Sequence, residues 1–307
     1  MTVGVIRHPN CSLHHMGDFH PESPERLAAI NEHLISSGLA NTTRQLEAIK
    51  IDPALLSLAH TQTYIDYIFT HSPTSGEFRL DPDTSMNPYT LEAALLAAGA
   101  GVQAVDLVMS GELSSAFCAM RPPGHHAESD RAMGFCLFNT VAIAAAYSLQ
   151  KYGLKKVAIL DFDVHHGNGT EQIFAGRSDV LVCSTFQHPL YPFSGYQASA
   201  TNIINTPLTP GATGKEFREA ILQHWLPALD EFSPEMIFIS AGFDAHAEDS
   251  ISQINLVESD YHWVTEQIKS YANKHCKGRI VSNLEGGYAL DALGRSVVSH
   301  LEALVEL

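Results

Sequence analysis

Two short segments about forty residues apart concentrate side chains that can bind a metal and move protons. Arg121-Pro122-Pro123-Gly124-His125-His126 and Asp161-Phe162-Asp163-Val164-His165-His166-Gly167-Asn168-Gly169 set paired imidazoles and two carboxylates among glycines. Each follows a run that reads as a buried strand, 115–120 and 156–160, so in a parallel sheet both emerge at one edge, where ligands and catalytic groups gather. Asp161, Asp163 and His165 alternate at i, i+2 and i+4, which on an extended chain turns all three toward one pocket. A third strand-like run, 236–240, ends in Ala241-Gly242-Phe243-Asp244-Ala245-His246 and brings another carboxylate to the same edge, with Gly242 allowing a tight turn. The expected ligands of one metal ion are therefore Asp163, His165 and Asp244. Three protein ligands leave a position for water, as in catalytic zinc, whereas structural zinc is closed by four ligands rich in Cys. One Asp-x-His at a strand end is ordinarily a hydrogen-bonded loop pair. Three such segments, each after its own strand, point to a reactive metal.

The elements that must position these groups alternate along the chain. Helical patterns cover 24–37, 89–109, 140–151, 215–230, 260–273 and 290–306, with Pro24 and Glu25 placed for a first turn. Short, mostly continuous apolar runs at 115–120, 156–160, 180–183, 236–240 and 279–284 read as strands covered on both faces. An α/β fold with an open parallel sheet and helices on both sides follows. With 307 residues, 45% hydrophobic and 17% charged, the chain can bury a large core. Loops at 72–76, 81–88, 189–214 and 247–252 bring no shift in composition, so a single domain over 1–307 is expected.

Charge and cysteine usage narrow the function classes. A net charge of -16 with only 18 Lys and Arg excludes a nucleic-acid surface, which needs clustered cations, and leaves cationic small substrates compatible. Cys11, Cys118, Cys136, Cys183 and Cys276 form no CxxC pair, which fits a reducing compartment. Residues 1–10 lack a long apolar stretch, and the most apolar segment, 91–109, carries Glu92, Gln103 and Asp106 in a helical pattern, so no membrane span and a cytoplasmic location are expected. No GxGxxG follows a strand, and no GxSxG offers a serine nucleophile.

Taken in order, His20-Pro21-Glu22-Ser23-Pro24-Glu25-Arg26, Arg121 to Ala127, Gly134-Phe135-Cys136, Asp161 to Gly169, Gly242 to His246 and Glu285-Gly286-Gly287-Tyr288 form a set spread over nearly the whole chain. In this set the chain resembles the zinc-dependent histone deacetylases of class II type and their bacterial relatives, the acetyl-lysine and acetylpolyamine amidohydrolases. The resemblance implies the arginase/deacetylase fold, a three-layer αβα sandwich around a mostly parallel sheet of about eight strands. It implies one zinc held by Asp163, His165 and Asp244, with His126 as the base acting on the metal-activated water. His125 would assist electrostatically or share proton delivery, with Asp161 orienting His125 and Asn168 orienting His126. Tyr288 would donate to the developing oxyanion. Asn168 stands where some relatives carry aspartate, which leaves a protonated His126 less stabilised.

The same resemblance implies potassium at Asp161 and Ser184 with the carbonyls of Asp163, His165 and Thr185, and a second potassium at carbonyls near Phe174, Arg177 and Val180. It implies a substrate tunnel walled by Phe135 and Tyr191, with the Gly134 carbonyl facing the substrate amide and Ile251 at the rim. Phe186 stands where relatives commonly have His, and Phe193 interrupts a Tyr-Pro-Gly-Thr-Gly pattern, two departures that leave tunnel shape and acyl preference open. Partners implied are acetylated lysine in peptides or proteins, or alternatively acetylated polyamines, and a homo-oligomer is compatible. A binuclear manganese ureohydrolase on the same fold would need further carboxylates where Asn168 and His246 stand.

Overall fold

The computed structural model describes residues 2–305. Apart from a small antiparallel pair, β3 (Phe78–Arg79) with β4 (Ser85–Met86), all strands join one parallel sheet. Across that sheet they run β2 (Arg44–Glu47), β1 (Val3–Arg7), β5 (Ser115–Cys118), β10 (Ile280–Leu284), β9 (Ile237–Ala241), β6 (Val157–Asp161), β7 (Val180–Gln187) and β8 (Ile203–Leu208). The last two strands in sequence, β9 and β10, are inserted between β5 and β6. This insertion lines up at one edge the loops that follow β5, β10, β9 and β6.

Burial on both faces explains the continuous apolar strands. In β6, Val157 and Ile159 face one core layer, while Ala158 and Leu160 face the other. The first layer is filled by α3 (Gln62–Thr70), α4 (Thr90–Met109) and α5 (Thr140–Tyr152), and the second by α1 (Glu25–Ser36), α9 (Glu258–His275) and α10 (Leu290–Val305). Short helices α2 (Leu39–Thr42), α6 (Asn168–Phe174), α7 (Gly214–Ala220) and α8 (Leu226–Phe232) complete the order. The three-layer αβα arrangement is thus present, with a wholly parallel main sheet.

The expected strands are all found, and the differences have local causes. β7 runs four residues past the expected end at 183, because Ser184 to Gln187 stay paired with β8. The edge strands β2 and β8 were not expected; β2 is mostly polar, β8 is only half-buried along its middle, and β8 contains Pro207, which an edge tolerates because no further strand needs an N–H there. β1, only five residues long, and α3 were also missed. The expected helix 215–230 is α7 and α8 joined by a π-helical turn at Ile221–Trp225. Pro227 lies in the first turn of α8, and its missing N–H and its ring block an ordinary bond to the turn before it. The expected end of the last helix, Glu306, lies outside the described residues.

By length and composition α4 is the one helix among the described residues that could cross a membrane, yet 61% of that stretch is buried inside the protein. It is the core helix of the first layer. Its central Gly99 lies against the 49–51 backbone, where Ile51 N donates to the Leu95 carbonyl at 3.0 Å. A Cβ at 99 would stand 1.8 Å from the Ile49 carbonyl oxygen. Gly99→Ala is therefore expected to cost about 1–3 kcal/mol, because the obstructing atoms are backbone. The check is urea unfolding: the midpoint should fall at unchanged slope, and an unchanged midpoint would contradict this packing.

Candidate active site

At the end of β6 the chain leaves the extended conformation. Asp163 N donates to Asp161 Oδ1 (3.1 Å) and His165 N to Asp163 Oδ1 (2.9 Å), so each aspartate caps a turn of its own. This corrects the expectation that all three side chains share one pocket. Asp161 turns to His125, while Asp163 and His165 converge with Asp244 from the end of β9. The donor atoms of those three lie within 4.8 Å of one another. His165 Nδ1 is 3.0 Å from an oxygen of each carboxylate. The remaining oxygens are taken by backbone: Gly286 N donates to Asp163 Oδ2 (2.8 Å) and Val164 N to Asp244 Oδ1 (2.9 Å). Asp244 Oδ2 is buried without a hydrogen bond and is aimed into the cluster.

Glycines make room for this cradle. A Cβ at Gly242 would meet Asp163 Oδ2 at 2.1 Å, and one at Gly286 would meet Asp244 Oδ2 at 2.1 Å. Gly242 is thus required for close approach, not for a turn, since it is not among the glycines with positive φ. One imidazole and two carboxylates, all buried, fit a divalent ion of zinc type. Burial and the neighbouring Asp163 raise Asp244 to about 6. Burial alone would lower His165, but Asp244 and Asp163 raise it to about 10. For Asp163 the burial penalty is outweighed by His125 and His165, which hold its carboxyl below the ordinary range.

The imidazole pair follows β5. His125 Nδ1 lies 2.9 Å from Asp161 Oδ2, and His126 Nδ1 lies 2.8 Å from Asn168 Oδ1. The Asn168 amide is fixed in turn, because its Nδ2 donates to Glu128 Oε1 at 2.8 Å, and a carboxylate only accepts. The oxygen therefore faces His126, the proton sits on His126 Nδ1, and Nε2 keeps its lone pair. The two rings, 4.1 Å apart, are driven in opposite directions. Burial lowers both, but Asp161, Asp163 and Glu285 overturn this at His125 and raise it, whereas His125 and His165 push His126 lower still. Such divergence separates a charged partner from a neutral base.

Tyr288 follows β10 on the Glu285–Tyr288 turn. Gly287 adopts φ +122, which a residue with a side chain would rarely tolerate. The turn is held from below by Arg26, whose Nε donates to the Gly287 carbonyl (2.7 Å) and whose Nη2 donates to that of Glu285. The Arg26 guanidinium also lies 5.0 Å from the Tyr288 ring centre. Arg26 and Arg121 share the buried Glu22 carboxylate, and Arg121 Nη1 donates to the carbonyls of Cys11 (3.0 Å) and His14 (3.1 Å). Above, Tyr288 N and Ala289 N donate to Asp249 Oδ2 (2.6 and 3.0 Å). Burial raises the phenol further, so it remains a protonated donor.

A cavity of about 230 Å³ leads down to these groups, lined by Gly134, Phe135, Leu190, Tyr191 and Ile251 and floored by His125, His126, His165 and Tyr288. Gly134 has φ +57, and a Cβ there would sit 2.4 Å from the His126 ring. The expected tunnel residues are therefore together. The two departures from the family pattern lie outside the tunnel: Phe186 is buried against His166, rings 4.8 Å apart, and Phe193 is 73% exposed; neither lines the cavity. Asp83 does line it and was missed, because a loop carboxylate in Asp81-Pro82-Asp83 carries no periodic signal. Of the potassium residues, Ser184 pairs in register with Asp161, and the Ser184 and Thr185 hydroxyls are buried without partners. Near the second expected site, Asn202 Nδ2 donates to the carbonyls of Phe174 (2.8 Å) and Val180 (2.9 Å).

Comparison with known proteins agrees with this architecture. The solved HDA15 HD domain superposes with a TM-score of 0.93 at 32% identity, over 99% of this chain and 88% of that one, which establishes the arginase/deacetylase fold. The chain is 36% identical to a probable deacetylase of Archaeoglobus fulgidus, over 95% of this chain and 82% of the relative. It is also 36% identical to a histone deacetylase-like amidohydrolase of Pseudomonas aeruginosa, over 88% and 73%. The fold and site define a hydrolase acting on amides. With the histone deacetylase domain matching residues 20–304, the chain belongs to the histone deacetylase family, whose members are generally zinc-dependent.

The titrations of the triad would set its affinity for a metal. His165 must lose a proton to bind below about 10, and Asp244 must lose one below about 6. Zinc affinity of the metal-free protein is expected to rise about tenfold per pH unit near neutrality and about a hundredfold per unit below about pH 6. Competition with a chelator across this range checks it, and a flat profile would contradict the assignment of these ligands.

Proposed function

We propose that the chain is a zinc-dependent deacetylase of N-acetyl-lysine side chains in peptides and proteins, acting through one catalytic domain. The observation that carries the reading is the imidazole pair, one ring driven toward the charged form and the other held neutral with its lone pair free. Zinc held by Asp163, His165 and Asp244 would polarise the amide carbonyl and acidify the attacking water. His126 Nε2 accepts the proton of that water. His125, aligned by Asp161, stabilises the developing negative charge and supplies a proton to the leaving amine. Tyr288 donates its hydroxyl proton in a hydrogen bond to the oxyanion, in a dry site where such a bond counts most. Phe135 and Tyr191 flank the aliphatic chain, the Gly134 carbonyl accepts from the substrate amide N–H, and Ile251 forms an apolar rim.

Potassium at Asp161, Ser184 and the Thr185 backbone is part of the same proposal, supported by the unpartnered Ser184 hydroxyl beside a buried carboxylate. A second substrate class, acetylated polyamines, is favoured by one feature: the Asp83 carboxylate in the cavity wall would attract a cationic amine.

Zinc-reconstituted protein assayed on an acetyl-lysine peptide and on an acetylpolyamine tests the reading. The peptide is expected to be the better substrate; preference for the polyamine transfers the function to the second class, and turnover of neither rejects both. Tyr288→Phe should lower kcat by about 10²–10³ with KM and zinc content retained, and near wild-type turnover in this variant would remove the oxyanion role. Asn168→Asp places a charge against His126 Nδ1 and stabilises its imidazolium. The acidic limb of kcat/KM, where the base becomes neutral, should then move to higher pH, whereas an unmoved limb would remove His126 as the base.

A further inference from the structure

Glu285 is a fully buried carboxylate at the junction of three active-site loops. Its Oε2 accepts from the backbone N–H groups of Gly124 (2.7 Å) and His125 (3.1 Å), and its Oε1 accepts from the Ser240 hydroxyl (3.0 Å). The first two donors belong to the turn that presents His125 and His126. Ser240 lies in β9, just before the loop that carries Asp244. The Glu285 backbone continues into Gly286, which donates to Asp163, and then to Tyr288. Glu285 N itself donates to the Ala241 carbonyl at 2.9 Å. Among the described residues no arginine or lysine side chain bonds this carboxylate; its partners are two backbone amides and one hydroxyl.

We propose that Glu285 is a positioning residue that fixes the imidazole pair relative to Tyr288 and the metal ligands, through the hydrogen bonds its side chain accepts and not through its charge. The inference uses turnover as one readout, and to that extent rests on the hydrolase reading above. The two amide N–H groups at Gly124 and His125 both point to Glu285 Oε2 and have no strand partner, because β5 ends at Cys118. Glu285 gives that turn its fixed point. Without it the turn keeps the bond from Thr170 N to the His125 carbonyl (3.2 Å) and the ring contacts to Asp161 and Asn168, but two backbone N–H groups lose their acceptor and the rings lose their spacing from the Tyr288 hydroxyl. Displacement of a group by about 1 Å is enough to reduce turnover strongly while substrate binding, made by the tunnel walls, persists.

Three variants separate shape from charge. Glu285→Ala removes both, Glu285→Asp keeps the charge but is one methylene too short to reach the amides, and Glu285→Gln keeps the shape. In the glutamine variant Oε1 can face Gly124 and His125, while its amide N–H donates to Ser240, whose hydroxyl accepts as readily as it donates. Kinetics on the better substrate of the zinc-loaded protein should show kcat lowered about 10–100-fold in the alanine and aspartate variants, with KM and zinc content kept, and most of the loss recovered in the glutamine variant. Hydrogen exchange over residues 122–126 should show lost protection at Gly124 and His125 in the first two and wild-type protection in the third. Recovery by aspartate but not glutamine, or alanine with wild-type kcat and exchange, overturns the proposal. The exchange readout needs no turnover, so a wild-type protein inactive on both substrates would sink the functional reading while Glu285 was still tested.

Discussion

Four carboxylates, Asp161, Asp163, Asp244 and Glu285, are withdrawn from water within one edge of a parallel sheet. Desolvation opposes their ionisation, and it is the largest influence on each. Much of the surrounding structure answers that penalty. Backbone N–H groups of Gly124, His125, Asp163, Val164, His165 and Gly286 point at these oxygens. His125 and His165 supply compensating positive charge, and glycines at 242 and 286 let the carboxylates approach backbone that a side chain would block. A divalent ion completes a balance that the protein alone leaves negative, which is why this edge is suited to hold one.

Beneath the site, charge is handled differently. Glu22 is buried with Arg26 and Arg121, and although burial alone would raise its carboxyl, Arg121 and His14 hold it below the ordinary range. A buried network of this kind is weak evidence for stability and better evidence for a fixed arrangement. Here its outward bonds identify what is fixed: Arg26 grips the two carbonyls on either side of Gly286, and Arg121 grips the segment 11–14. The turn bearing Tyr288 is thus clamped by Arg26 below, by Asp249 above and by Glu285 at its root. A phenol on a turn with a left-handed glycine would otherwise sample many positions.

The residue spacing alone makes the chemistry legible. Asp163, His165 and Asp244 were readable as candidate ligands because each follows an apolar run, and strand ends in a parallel sheet share an edge. The buried strands and long helices were readable for the same reason, since their apolar pattern reports burial directly. The edge strands β2 and β8 were not, because exposure on one side removes that pattern. Asp83, in the cavity wall, and Asp249, which holds the Tyr288 turn, were equally silent, since loop residues acquire their partners only when distant segments meet.

By itself the sequence determined which side chains are available and which strand delivers each: an imidazole pair after β5, two ligands after β6, a carboxylate after β9 and a phenol after β10. Only the tertiary structure decided how they face one another. The insertion of β9 and β10 between β5 and β6 brings Asp244 beside Asp163 and His165, about 80 residues earlier, and Tyr288 beside histidines more than a hundred residues earlier. The turns closed by Asp161 and Asp163 then send Asp161 to a histidine and leave Asp163 for the metal cradle. The physical reason is that strand order and turn closure arise from hydrogen bonds between segments remote in sequence, and local pattern contains no record of which remote segment will supply the partner.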